Sequence, residues 1–144
     1  MDASAIGTTA WTSTNLHARR IPLPIYTDFG MMWAVSDEWR IVLSAEVERW
    51  YAGLSAGELA QADQALDRLA TEGITLGMPH NRYLSEKLWE LRFRCGQVNQ
   101  RITYTADPDR QLVTLTTFRK QRQNERTEIT RARKALRRHQ TRKG

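Results

Sequence analysis

In the stretch LWELRFRC, Leu88 to Cys95, apolar and charged residues take turns: Trp89, Leu91, Phe93 and Cys95 fall on one side, Glu90, Arg92 and Arg94 on the other. A period of two belongs to a half-buried strand, so the first set is expected to face a core and the second the open surface. VNQRITYT repeats the pattern, with Val98, Ile102 and Tyr104 on one side and Asn99, Arg101 and Thr103 on the other. ADPDR is a turn signal ahead of a third strand, QLVTLTTF. Three consecutive strands with short connections predict an antiparallel meander.

Upstream the period changes. EWRIVLS is short and rich in β-branched and aromatic residues, which suits a first strand. Ser44 is placed to cap a helix in which Val47, Trp50, Tyr51 and Leu54 share one face, and Ser55 opens a second helix with Glu58 at capping-box spacing. Leu59, Ala62, Leu66 and Leu69 continue that apolar face, and Gly73 is expected to end it. GITLGMPHNRYLSEK reads as a loop. A final helix is expected from Thr127 to about Arg138, with Ile129, Ala132 and Leu136 as its thin apolar stripe. The order β-α-α-β-β-β-α predicts an α+β fold, a twisted antiparallel sheet with helices packed on it.

Residues 1–36 show no sustained period of either kind and are rich in Ser, Thr, Ala and Pro; they read as an irregular or disordered extension. Met31 and Met32, just before the first organised segment, offer an alternative start of translation. The compact domain is expected over 37–139, followed by a basic tail at 140–144.

Charge changes the picture most. The net charge of +6 over 144 residues is not spread evenly. Arg119 to Gly144 holds eleven Lys/Arg and two Glu, a net of +9, whereas Met1 to Phe118 holds eleven Lys/Arg and fourteen Asp/Glu, a net of −3. A basic end of this kind suits a polyanion or an acidic protein, and equally a solvated terminal helix. Cys95 is the only cysteine, which excludes a disulfide framework and a cysteine-based metal cluster and fits a reducing compartment. No apolar run approaches the roughly 18 residues of a membrane span. The cytoplasm is the expected location.

The segment LWELRFRCGQVNQRITYTADPDRQLVTLTTFRKQRQNERTEITRARKAL resembles the RelE/HigB superfamily of toxins from bacterial toxin–antitoxin pairs, in its phage-derived, HigB-like branch. It has an aromatic-Glu-Leu-Arg strand, an Arg-x-x-Tyr strand, and a strand ending in Phe before a basic, Gln-rich turn and an Ala-containing helix. The resemblance implies a RelE-like fold and a metal-independent, cofactor-free endoribonuclease that enters the ribosomal A site and cuts mRNA. Its implied partners are a cognate antitoxin, mRNA on the ribosome and ribosomal RNA, with no membrane.

Carried onto this chain, the resemblance makes Arg101 the residue for the scissile phosphate, because a guanidinium binds two phosphate oxygens at once. Arg92 and Arg94 on the neighbouring strand match positions that are often basic, and Arg119, Lys120 and Arg122 match the basic turn that completes the site. Arg101, Arg92, Arg122 and the loop histidine His80 are the catalytic candidates. Arg94, Arg119, Lys120, Arg131, Lys134 and Arg138 are the RNA- or ribosome-binding candidates, and Glu90 is expected to orient the arginines. The plain alternative is an ordinary cross-strand ion pair of Glu90 with Arg92 or Arg101. Some relatives place a Tyr or a His near the start of the last helix or close to the third strand, where this chain has Thr127, Glu128 and Ile129, which leaves His80 as its candidate for the general acid or base. Two rivals to a nuclease share these features: a ParE-like gyrase inhibitor and a catalytically silent RNA-binding domain.

Overall fold

A computed structural model of the protein describes residues 9–11, 24–27, 30–33 and 39–143. Its strands, in chain order, are β1 (Thr9–Ala10), β2 (Pro24–Thr27), β3 (Gly30–Trp33), β4 (Arg40–Leu43), β5 (Asn81–Ser85), β6 (Leu88–Cys95), β7 (Val98–Asp107) and β8 (Gln111–Arg119). The helices are α1 (Ala45–Ala52), α2 (Ala56–Glu72) and α3 (Glu125–Lys143). β2 and β3 form a separate hairpin. The other six strands form one mixed sheet in the order β1-β4-β8-β7-β6-β5, and the fold is α+β.

Local chemistry sets the helix ends. The Val47 N–H donates to the Ser44 hydroxyl at the head of α1, and Ser55 and Glu58 form the reciprocal capping box of α2. Gly73 closes α2 with φ 60. A Cβ there would lie 2.0 Å from the Trp39 indole nitrogen, so only glycine fits both the backbone and the space.

The sheet carries a core on each face. α1 and α2 pack Val47, Leu66 and Leu69 against Ile41, Leu91 and Ile102 on one side. On the other, Ala132 and Leu136 of α3 meet Leu88 and Leu115, with Ile129 and Leu84 at the margin. β4 lies between β1 and β8, and its run Ile41, Val42 and Leu43 is fully buried, as an unbroken apolar strand in a sheet covered on both faces should be. Its pairing with β8 is parallel, Ile41 opposite Leu112.

Four expectations change, the first being the antiparallel sheet, which the parallel β4–β8 pair makes mixed. The stretch expected to be a loop contains β5, which pairs antiparallel with β6 through a tight turn at Glu86 and Lys87, both at positive φ (48 and 68). The last helix begins two residues before Thr127 and runs to Lys143, so residues 140–143 belong to a helix and not to a tail. Its far end is tied to the β7–β8 turn, where His139 Nε2 and Lys143 Nζ lie 2.9 and 3.2 Å from the Asp107 carboxylate. Residues 1–36, expected to be irregular, hold β1, β2 and β3 among their described residues; the remainder of that stretch lies outside the description. Trp11 follows β1 into the core at 6% exposure, its indole donating to Asp63 Oδ1 at 3.3 Å, and the Tyr51 hydroxyl donates to the same oxygen at 2.5 Å.

Candidate functional site

β6 and β7 pair in a register that sets Arg92 directly opposite Arg101. Two like charges across a ladder repel, and the fold answers with Glu90 on the same face of β6. Its Oε1 lies 3.6 Å from Arg101 Nε and 3.8 Å from Arg92 Nε. Glu90 and Arg101 are buried, at 3% and 7% exposure, while Arg92 is half-buried and Arg94 exposed. Burial pushes the Glu90 carboxyl above the usual carboxylate range, partly offset by the two guanidiniums, and burial also lowers the pKa of Arg101.

The pairing is incomplete. Arg101 Nη1 donates to the Gln100 carbonyl at 3.3 Å, and Arg92 Nη1 reaches only the Met78 sulfur at 3.7 Å. Arg92 Nε is the one buried side-chain nitrogen or oxygen without a hydrogen-bond partner among the described residues. A buried donor left unmade costs on the order of 1–3 kcal/mol, which an anionic oxygen at this spot would relieve.

The N-terminal end of α3 borders the cluster. Glu125 lies 3.4 Å from Lys120 Nζ and 3.8 Å from Arg82 Nη1, and its charge reaches both Glu90 and Arg101. Arg82 belongs to this group because β5 sets it opposite Glu90. Reading that stretch as a loop hid it; its signal was the alternation of Arg82 with Tyr83, two residues ahead of an unmarked turn. Arg122 lies in the exposed turn between β8 and α3.

Other candidates fall elsewhere. Arg101 itself is buried rather than on an open face, because Glu90, Arg92 and Phe118 surround it. Arg119 pairs with Gln100 and points to the α1/α2 side, where it lines a groove of about 960 Å³ with Trp50, Glu58 and Gly96. The cause is an extra residue in β8: Ile102 pairs with Thr117 but Tyr104 with Thr114, which reverses the facing of everything after Thr116. Arg119 therefore does not share a face with Arg92, Arg94 and Arg101. Arg131 is bound to Glu46 at 2.6 Å, to Glu128 at 2.9 Å and to the Thr117 carbonyl at 3.2 Å, a tie between α3, α1 and β8. Its ion pair raises its pKa. The His80 ring meets α2, with Nδ1 3.2 Å from Arg68 Nη1. Lys134 and Arg138 are exposed on α3.

Neither Tyr104 nor Tyr83 makes a hydrogen bond to the trio. Tyr104 is fully buried, and burial pushes its hydroxyl up to about 12. Tyr83 is 54% exposed, pairs in register with Trp89 on the opposite face from Glu90, and accepts from the Lys87 N–H. Among the described residues, no group of three His, Cys, Asp or Glu is placed to hold a metal, and no helix is long and apolar enough to cross a membrane.

A family model, "Phage derived protein Gp49-like (DUF891)", matches residues 49–140, from the middle of α1 into the last turn of α3. The chain belongs to this family. All of the cluster lies inside the Gp49-like match, whereas β4 and the Trp11 strap lie outside it. No curated protein matches the chain.

Proposed function

We propose that this Gp49-like protein is the toxin of a type II toxin–antitoxin pair, RelE/HigB-like in topology, and that it cuts mRNA on the ribosome without a metal. The observation that carries the reading is the Glu90, Arg92 and Arg101 trio, two guanidiniums around one carboxylate of raised pKa with an orphaned donor, bordered by Arg82 and Lys120 through Glu125. In this reading Arg101 and Arg92 bind the scissile phosphate and stabilise the charge that grows on it. Glu90, expected only to orient them, accepts the ribose 2′-hydroxyl proton, for which its raised pKa suits it. The leaving oxygen takes its proton from Lys120 or from water. A cognate antitoxin covers the basic surface until it is degraded.

One observation favours a non-nuclease reading, gyrase inhibition or silent RNA binding: Arg101 is already buried against a carboxylate, and neither His80, Tyr83 nor Tyr104 joins the trio. Primer extension on cellular mRNA minutes after induction separates the two. Codon-phased cuts with the wild type and none with Arg101→Lys support the nuclease; arrested growth with intact mRNA sinks it and points to the alternative.

A further inference from the structure

Glu125 opens α3 between two cations that belong to different elements. Its carboxylate lies 3.8 Å from Arg82 Nη1 on β5 and 3.4 Å from Lys120 Nζ in the turn after β8. Both approaches are longer than the roughly 2.7–2.9 Å of a charge-assisted hydrogen bond. The side chains of Glu125, Arg82 and Lys120 reach solvent, at 39%, 48% and 27% exposure, so these ties are of the weak, screened kind. Glu128, in the same first turn, is held differently: it meets Arg131 at 2.9 and 3.0 Å. The helix dipole favours an acid anywhere in that turn, so it accounts for both glutamates but not for one being spread loosely between two cations.

The backbone beneath Glu125 is fixed. The Asn124 side chain accepts from the Gln121 N–H and donates to the Arg119 carbonyl, and the Glu128 N–H donates to the Asn124 carbonyl. Turning the Glu125 side chain, without moving α3, is then enough to release Arg82 and Lys120. Register sets Arg82 opposite Glu90, one strand over from it. Around this point Arg82, Arg92, Arg101 and Lys120 face Glu90 and Glu125, four positive charges against two negative. A phosphodiester carries one negative charge and replaces Glu125 charge for charge, with two oxygens to offer the Arg82 guanidinium.

We propose that Glu125 is a resident anion in a second phosphate subsite, formed by Arg82 and Lys120, and that an RNA phosphate adjoining the one at the trio displaces it. The proposal rests on the reading of the trio as an RNA-cutting site and adds its regulation: the empty site is closed by its own carboxylate, and a strand that fills both positions opens it. In that reading displacement also frees Lys120 as a proton source for the leaving oxygen.

The test is binding of a short single-stranded RNA, 2′-O-methylated so that it cannot be cut, to the full chain, followed by fluorescence anisotropy over a range of salt. Glu125→Gln should bind at least about threefold more tightly at low salt, with the slope of log affinity against log salt steeper by about one, because each freed cation releases about 0.7 of a counterion from a single strand. In a chain that also carries Arg82→Gln and Lys120→Gln, Glu125→Gln should leave the slope unchanged, since the coupling it breaks is already gone. Glu128→Gln removes an equal charge from the same helical turn and should also leave the slope unchanged, which separates the subsite from a general loss of negative charge. An unchanged or weaker affinity in Glu125→Gln overturns the proposal, as does a steepening that survives the loss of Arg82 and Lys120 or that Glu128→Gln matches. Wild-type cutting of mRNA with unaltered binding in Glu125→Gln sinks the subsite and leaves the nuclease reading. Tighter, steeper binding by Glu125→Gln in a protein that never cuts mRNA sinks the nuclease reading and leaves the subsite.

Discussion

Arg101 is under two opposed demands. A phosphate site needs a charged, reachable guanidinium, yet this one is buried and held by Glu90 at 3.6 Å. Removing one partner of a buried pair leaves the other charge uncompensated, so alanine here confounds folding with chemistry. Lysine keeps the charge beside Glu90 but loses the two-pronged grip on phosphate. Arg101→Lys should therefore cut RNA about 10²–10³-fold more slowly in a translation extract while its urea midpoint moves little. Glu90 supplies the pH test. Burial raises its pKa in the folded chain, so the carboxylate that serves as base in the proposed mechanism is lost, as pH falls, earlier than an ordinary glutamate would lose it. Cleavage should decline on that acid limb, and Glu90→Gln should be slow at every pH with the limb gone. Stability runs the other way: a raised folded pKa favours the folded state below the unfolded value, and that contribution disappears as pH rises through the folded one. Arg92, Arg101 and Glu90 were legible in sequence as residues of one face, from alternation alone. The 3.6 Å and 3.8 Å approach to one oxygen was not, because it depends on the register between two strands.

Elements show where local signals suffice and where they do not. Both helix caps were readable because capping acts within four residues. β5 was missed because its turn, Glu86–Lys87, adopts positive φ without Asn or Gly to advertise it. The remedy is a prediction: Glu86→Asn with Lys87→Gly should raise stability by about 0.5–1.5 kcal/mol in urea unfolding, since the Glu86 pair with Arg133 is too exposed to offset the relief. Arg131, expected to bind RNA, is a brace between α3, α1 and β8. Arg131→Ala should lower stability by up to about 1 kcal/mol and leave the salt slope of RNA binding within one of the wild type.

Across the whole molecule, residues 9–11, upstream of Met31, take part in the fold. Trp11 extends β1 into the core, its N–H bonding the Ile41 carbonyl at 2.7 Å and its indole bonding Asp63. Trp11→Ala should cost about 3–5 kcal/mol, read as a fall in the urea midpoint, because it leaves a cavity and takes one donor from buried Asp63. No change would mean that β1 and Trp11 contribute nothing to the core. At this scale charge also separates into roles: some of the basic C-terminal end braces the sheet, and some makes no ion pair among the described residues.

By itself the sequence determined the elements whose signal is local: alternation for β6 and β7, caps for α1 and α2, the apolar stripe of α3, and a net of +9 after Phe118. Tertiary structure alone decided which of those charges meet. One extra residue in β8 carried Arg119 to the far face, β4 found a parallel partner 71 residues away, Ile41 opposite Leu112, and β5 brought Arg82 opposite Glu90. These outcomes rest on pairing between distant strands, and a side-chain period of two turns each one-residue shift into a change of face.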